Sequence, residues 1–300
     1  MSFRLYLCTL FLFLLSVNVY ADTPLLWNQK AVGANCPITS DEVWVKYPGG
    51  VDCMRFFSAG NMQNAPLVVV VFKGDRTPFI KRDPKTIPAN TASAQRKIAR
   101  KLSKQTGLPV VIVARPGTYG SSGNHYHRRQ RSEFLALNAT LDSLRERYNI
   151  KQFILTGHSG GATAASALLT FGRDDIRCAI LTSGAWDLLY RAEALRKERG
   201  ERSDIGKDIT GLPTPYDPLY HVDNIINDPQ RRILVIGNLQ DRLTPFALQV
   251  KFARELREKK HRVTLIEWPA YPPEYHNLKG NLGVKYVKQC KTSGMAKRRA

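Results

Sequence analysis

Short apolar runs alternate with amphipathic segments along most of the chain. The apolar runs are rich in Val, Ile and Leu, as buried strands are, and cover residues 67–72, 110–114, 153–156, 178–182, 233–236 and 263–267. The segments that separate or follow them predict helices near 91–105, 131–148, 161–171, 245–259 and 281–289. Strands that alternate with helices predict an α/β fold, a doubly wound and mostly parallel sheet with helices on both faces.

Two further features complete this pattern. Strands at 43–45 and 53–57 flank the turn signal Pro48-Gly49-Gly50 and predict an antiparallel pair. The segment 187–229, between the sixth and seventh predicted strands, is longer than an ordinary connection. We expect it to form a small cap with a helix within 188–199. The alternative is a solvent-exposed loop that does not cover the site. Ligands of such sheets bind beyond the carboxyl ends of the strands, so the loops there should carry the chemistry.

The first 21 residues differ from the rest of the chain. Arg4 precedes an apolar stretch, residues 5–17, that is too short to span a bilayer, and Val19-Tyr20-Ala21 is typical of a signal-peptidase site. We predict a signal peptide at 1–21, a single domain at 22–300, and export to the periplasm or the medium. An uncleaved anchor is the alternative. No later segment predicts a transmembrane helix.

Composition narrows the class of protein. With 43% apolar residues in 300, the chain can bury a full core, which excludes a disordered protein. The net charge of +20, or +19 without Arg4, is high for an enzyme of this size. The basic residues are spread along the chain, and no nucleic-acid motif with interleaved aromatic residues occurs, so a basic solvated surface is expected and a nucleic-acid partner is not.

Four cysteines follow the predicted signal peptide: Cys36, Cys53, Cys178 and Cys290. An even number in an exported protein suggests disulfides, and three pairings are open. We favour Cys36–Cys53, which closes a short loop, and Cys178–Cys290, because both should lie at the same edge of the sheet. A buried free thiol at Cys178 is the alternative. No Cys or His spacing indicates a metal site, and no cofactor is predicted.

The loop after the strand at 153–156 carries the strongest motif. Gly157-His158-Ser159-Gly160-Gly161 has the G-x-S-x-G pattern and stands between a strand and a helix. A serine on such a turn needs a strained backbone, and glycines on either side let the strand and the helix pack closely. This context predicts that Ser159 is a nucleophile rather than a residue of an ordinary turn.

A nucleophilic serine needs a histidine base that a carboxylate orients. Asp241 lies in the loop after the strand at 233–236, and His276 lies in the loop after the strand at 263–267. The order Ser159, Asp241, His276, each at a carboxyl strand end, predicts a catalytic triad. The other candidates are placed less well: His125, His127, His158, His221 and His261 as the base, and Asp223 and Asp228 as the acid.

These residues carry a family resemblance, which extends from about Leu67 to His276. The chain resembles the α/β-hydrolases, and the stretch 115–122, RPGTYGSS, resembles the PG-x-G-x-S loop that follows the fourth strand in that superfamily. The stretches 216–225 and 241–245 are similar to the end of a prolyl-oligopeptidase-type or esterase catalytic domain. No segment corresponds to the N-terminal propeller of prolyl oligopeptidases, which favours an esterase or a small exopeptidase.

The resemblance also implies an oxyanion hole, in which two N–H groups stabilise the developing charge. One donor should be Gly160, directly after the nucleophile. The other should be the residue after Gly74, which is Asp75, with Gly74 itself as the alternative. The carboxylate of Asp75 must turn away from the oxyanion, and we expect it to face Lys73 or Arg76.

The run from His125 to Arg131 should stand at the same edge of the sheet. Arg128 and Arg129 are therefore predicted to bind an anionic group of the substrate, with His125 or His127 adding charge below about pH 6.5. The alternative is that these charged side chains lie on the surface, exposed to solvent, and do not bind the substrate.

Three functions compete at this point. The first is an exported serine hydrolase that cleaves a carboxylic ester through an acyl-enzyme on Ser159. The second is a serine exopeptidase or aminopeptidase of prolyl-oligopeptidase type, since ester and amide cleavage use the same triad. The third is a non-catalytic binding protein with the same fold, which the intact order of the three residues disfavours.

Overall fold

A computed structural model describes residues 22–36 and 41–291. Eight strands form its sheet: β1 (Glu42–Tyr47), β2 (Gly50–Ala59), β3 (Val68–Phe72), β4 (Val110–Val113), β5 (Phe153–His158), β6 (Ile176–Thr182), β7 (Arg232–Gly237) and β8 (Val263–Glu267). Their order in the sheet is β1-β2-β4-β3-β5-β6-β7-β8. β1 pairs antiparallel with β2, and β2 pairs antiparallel with β4, whereas all the other pairings are parallel. The predicted α/β fold is confirmed.

In the described part of the chain, seven α-helices accompany the strands: α1 (Ala92–Thr106), α2 (Arg131–Tyr148), α3 (Gly160–Leu169), α4 (Leu188–Glu198), α5 (Phe246–Glu258), α6 (Leu282–Lys285) and α7 (Val287–Lys291). α1 begins at the N-cap Thr91, whose side chain accepts a hydrogen bond from the N–H of Ala94, and ends at Gly107, which has a positive φ of 63°. The final helix, predicted as one element, is the pair α6 and α7. Every residue of β6 and of α3 is buried, so the turn at Ser159 leads directly into a buried helix.

The segment between β6 and β7 contains α4 within the predicted range and a 3-10 helix at Pro218–Asn224. Hydrogen bonds fix it to loops at the carboxyl edge of the sheet, two of them between buried or partly buried groups. Arg191 Nε donates to the carbonyl of Leu243 at 2.7 Å. The N–H of Tyr216 donates to the carbonyl of Arg129 at 2.8 Å. A cap over the nucleophile stays a prediction, and these contacts support it.

Two disulfides have the favoured connectivity, Cys36–Cys53 and Cys178–Cys290. The second joins the central strand β6 to α7 across 112 positions of sequence. The predicted signal peptide at 1–21 and the end of the basic tail, residues 292–300, lie outside the described residues. Within 22–36 and 41–291, no helix is both long and apolar enough to cross a membrane.

Replacing Cys178 and Cys290 together by Ala is expected to lower the free energy of unfolding by about 2–5 kcal/mol, because the bridge restricts a long loop in the unfolded chain. Denaturant unfolding measures the change. The matched control is the double Ala variant of Cys36 and Cys53, whose loop spans only 17 positions and should therefore lose less. A larger loss in the control would contradict this expectation.

Candidate active site

Ser159 stands at the turn between β5 and α3 with a φ of 55° and a ψ of −127°. A non-glycine residue with these angles is strained, and such strain persists only where the surroundings enforce it. Here the N–H of Ser159 donates to the carbonyl of Thr182 on β6 at 2.9 Å. The strand-to-helix geometry is therefore that of a nucleophile elbow.

The two outer glycines of the motif are required by close backbone contacts. A Cβ on Gly157 would lie 2.2 Å from the carbonyl oxygen of Gly161. A Cβ on Gly161 would lie 2.2 Å from the carbonyl oxygen of Phe72, at the end of β3. Any side chain at these positions would push the helix away from the strands, so the glycine spacing of the motif has a packing cause.

Asp241 and His276 lie together although 35 positions separate them. His276 Nδ1 is 2.9 Å from Asp241 Oδ2 and 3.1 Å from Oδ1. Asp241 also accepts hydrogen bonds from the N–H groups of Leu243 and Thr244 and from the Thr244 hydroxyl. A carboxylate held by these donors keeps the proton of a neutral imidazole on Nδ1, which leaves Nε2 free to accept another.

The imidazole of His276 lies beside the elbow. Its ring centroid is 4.9 Å from that of His158, the residue directly before Ser159. The Ser183 hydroxyl donates to the carbonyl of His276 at 2.9 Å and so anchors its backbone. The structure thus brings the three residues of the predicted triad to one edge of the sheet, and their catalytic roles stay a prediction.

The other histidines have different surroundings. Burial, with His276 beside it, lowers the pKa of His158 to about 4, so this side chain is neutral near pH 7. His221 stacks on Tyr216, with a centroid distance of 4.2 Å. His261 lies just before β8, at the opposite edge of the sheet. Of the rival acids, Asp223 pairs with Lys259 on the surface, and Asp228 accepts a hydrogen bond from the N–H of Gln230.

Gly74 and Asp75, which follow β3, border the elbow. A Cβ on Gly74 would lie 3.2 Å from Ser159 Cβ, and the carboxylate of Asp75 lies against Gly160. Gly160 is the first residue of α3, where a backbone N–H has no partner within the helix. Both predicted donor segments are therefore adjacent to Ser159, and the oxyanion hole stays a prediction.

The carboxylate of Asp75 faces three arginines, so the expectation that it faces Lys73 or Arg76 is wrong. Arg115 Nη1 lies 2.9 Å from Asp75 Oδ1, Arg129 Nη2 contacts Oδ2, and Arg128 Nε lies 3.6 Å from Oδ2. The charges of these arginines, Arg129 first, hold the pKa of Asp75 well below its usual range against the effect of burial. Glu133 of α2 completes the cluster, 2.6 Å from Arg115 Nε.

The pairing with Asp75 changes the surroundings predicted for Arg128 and Arg129, in the run from His125 to Arg131. Arg128 and Arg129 are only 4% and 1% exposed, and their guanidinium groups are paired with Asp75. Their role in substrate binding stays a prediction, although part of their charge is already compensated. The expectation that His125 adds positive charge below pH 6.5 is wrong, because burial and the neighbouring Arg115 lower its pKa to about 3.

Several residues that support the site were not predicted. Thr244 binds Asp241 through its N–H and its hydroxyl, and Ser183 fixes the backbone of His276. The spacing Asp-x-x-Thr at 241–244 is a local signal, since Asp side chains commonly accept from N–H groups two or three residues later. Arg115 stands two residues after β4, but the sequence gives no local sign that its partner is Asp75.

The strand order and the elbow define an α/β-hydrolase. The model of the prolyl oligopeptidase family matches residues 101–290, which is more than half of the chain. The chain therefore belongs to the prolyl oligopeptidase family, whose members are serine hydrolases. No curated protein matches the chain significantly.

Solved structures share this fold at low sequence identity. The chain is similar to acylaminoacyl peptidase from Pyrococcus horikoshii, with a TM-score of 0.50 and 16% identity over 84% of this chain and 40% of that one. It is similar to Est1E from Butyrivibrio proteoclasticus, with a TM-score of 0.52 and 14% identity over 83% and 97% of the two chains. An esterase from Pyrococcus furiosus has a TM-score of 0.51 and 16% identity over 83% and 90%. The chain thus spans 40% of the peptidase and nearly all of Est1E.

Proposed function

We propose that the protein is an exported esterase that cleaves a carboxylic ester through an acyl-enzyme on Ser159. The observation that carries the proposal is the pair Asp241–His276, whose Nδ1 contact is 2.9 Å, beside the strained serine turn. A buried carboxylate that fixes one tautomer of a histidine next to a serine is the arrangement that activates a serine hydroxyl.

In the proposed reaction, Ser159 Oγ attacks the ester carbonyl while His276 Nε2 takes the serine proton. The negative oxygen of the tetrahedral intermediate accepts hydrogen bonds from the N–H groups of Gly160 and Asp75 or Gly74. His276 then gives its proton to the alcohol that leaves. Water, activated by the same imidazole, attacks the acyl-enzyme and releases the carboxylic acid and free Ser159. No metal or organic cofactor takes part in these steps.

A peptidase is the second candidate, and the family match supports it. The same groups cleave an amide when His276 protonates the departing amine. Similarity in fold to both an acylaminoacyl peptidase and an esterase is compatible with either activity. Turnover on a panel of ester and aminoacyl chromogenic substrates separates the two.

Export is supported by the two disulfides, because such bonds persist in oxidising compartments and are rare in the cytosol. The signal peptide at 1–21 remains part of this proposal. We also propose that the insertion at 187–229 caps the site, since Arg191 of α4 binds the loop that follows Asp241.

A fluorophosphonate probe is expected to label Ser159 and no other residue, since Ser159 is the proposed nucleophile and His276 its proposed base. Mass spectrometry of the labelled protein identifies the site. Ser159→Ala should remove the label, while Ser143→Ala, which changes a serine of α2, should keep it. Labelling that survives Ser159→Ala would refute the assignment, and a wild-type protein that takes up no probe would favour the non-catalytic alternative.

A further inference from the structure

A cavity of about 390 Å³ lies beside the nucleophile elbow. Its walls are the carboxyl ends of β3, β5 and β6, the segment 73–76 that follows β3, and the segment 277–283 that follows His276. His158 lines it, and Gly74, another lining residue, borders the Cβ of Ser159. A substrate whose carbonyl carbon lies at Ser159 can therefore extend into this cavity.

The side chains that line this cavity carry positive charge and no negative charge. They include the cations Lys73 and Arg76 and the amides Asn277 and Asn281, and no carboxylate. Within 22–36 and 41–291, neither cation forms an ion pair. The nearby Arg115, Arg128 and Arg129 differ, because each of them pairs with Asp75.

The contacts of the two cations are with uncharged groups. Lys73 Nζ hydrogen-bonds to Gln95 Oε1 and lies 4.4 Å from the ring centroid of Tyr119. The guanidinium of Arg76 lies 5.9 Å from the same ring, and its buried Nε has no hydrogen-bond partner among the described residues. A cation removed from water without a carboxylate is costly, and a bound anion would offset that cost.

The pKa of Lys73 is consistent with a buried amine that has no negative charge beside it. Burial, together with the charge of Arg76, lowers the pKa of Lys73 to about 7. An anion placed beside the amine would favour its charged form, as opposite charges do. A guanidinium can bind a carboxylate or a phosphate through two N–H groups at once.

We propose that this cavity binds an anionic group of the substrate, a carboxylate or a phosphate, through Arg76 and Lys73 with the amides of Asn277 and Asn281. The inference rests on the proposed function, and it adds a substrate class to it. The esters cleaved at Ser159 carry an anionic group near the scissile bond, and Arg76 is a specificity-determining residue.

The test compares three aryl esters of equal length: one with a neutral acyl end, one with a carboxylate end and one with a phosphate end. The wild type is expected to show a kcat/KM at least about tenfold higher for one of the anionic esters than for the neutral ester, the size of a good charge-assisted contact. The ester with the higher value identifies the anion. Equal values for all three esters would overturn the proposal.

The variant that tests the site is Arg76→Gln, and the matched control is Arg82→Gln, which removes the same charge from an exposed position six residues later. The ratio of anionic to neutral kcat/KM is expected to fall about tenfold in Arg76→Gln and to stay at the wild-type value in Arg82→Gln. Lys73→Gln should also lower the ratio. A ratio unchanged in both Arg76→Gln and Lys73→Gln would assign the preference to other cations and overturn the proposal.

Two additional measurements separate this proposal from the proposed function. If the fluorophosphonate probe labels Ser159 and the neutral ester is cleaved, the esterase stands whatever the ratio shows. If no ester is cleaved, calorimetry with glutarate and with inorganic phosphate tests the cavity directly. Binding by the wild type that Arg76→Gln loses would support an anion site without an esterase, and absence of binding would overturn the anion site.

Discussion

Replacing His276 by Ala is expected to lower kcat by about 10³-fold or more, because Ser159 loses the base that takes its proton. The stability of the folded protein should change little. Asp241 keeps three other hydrogen-bond donors, the N–H groups of Leu243 and Thr244 and the Thr244 hydroxyl. Steady-state kinetics on the best ester of the panel, together with a thermal unfolding curve, measures both quantities.

The matched control is His127→Ala, which removes an exposed histidine near the same edge of the sheet. Its kcat should equal that of the wild type. A double variant of Ser159→Ala and His276→Ala should be no slower than Ser159→Ala alone, since members of one triad act as a unit. If His276→Ala turns over substrate at nearly the wild-type rate, another histidine is the base, and His158 is the next one to replace.

The second large effect is expected at Asp75. Changing it to Ala leaves Arg115, Arg128 and Arg129 without their shared carboxylate in a buried cluster. Removal of one partner from a buried ion pair costs about 3–5 kcal/mol of folding stability. Activity should fall as well, because Asp75 belongs to the segment that borders Ser159 and Gly160. Denaturant unfolding gives the loss of stability.

Asp174→Ala provides the control for this variant. Its side chain is 77% exposed, and its pairing with Arg145 at 3.9 Å lies on the surface, where ion pairs contribute little. Its stability should stay close to that of the wild type. Equal stability of Asp75→Ala and Asp174→Ala would mean that the arginine cluster does not depend on Asp75.

The sequence predicts the sheet, most of the helices and the strand-to-helix turn at Ser159 because each has a local pattern. The runs at 67–72 and 153–156 are continuous and apolar, as strands covered on both faces are, and the glycine pattern around Ser159 follows one of them. Asp241 and His276 were found by their positions at strand ends, since parallel strands place their carboxyl ends at one edge.

The surroundings of Asp75 could not be predicted in this way. Arg115 lies 40 positions away from it, and the loop that brings them together has no periodic pattern. The charge of Arg128 and Arg129 was visible in the sequence, but their burial was not, because it depends on how α2 and the loop after β4 pack. The cavity beside His158 is lined by residues about 200 positions apart, such as Lys73 and Asn277. It is therefore visible only in the folded chain.

The insertion at 187–229, between β6 and β7, adds one more carboxylate to the arginine cluster around Asp75. Arg129 Nη1 lies 3.5 Å from Asp208 Oδ2, both side chains are 1% exposed, and the same guanidinium contacts Asp75. Moving the insertion away would separate Asp208 from Arg129 and break a buried ion pair, at a cost of several kcal/mol. We therefore expect the insertion to stay in place when a substrate binds, tethered by this buried ion pair.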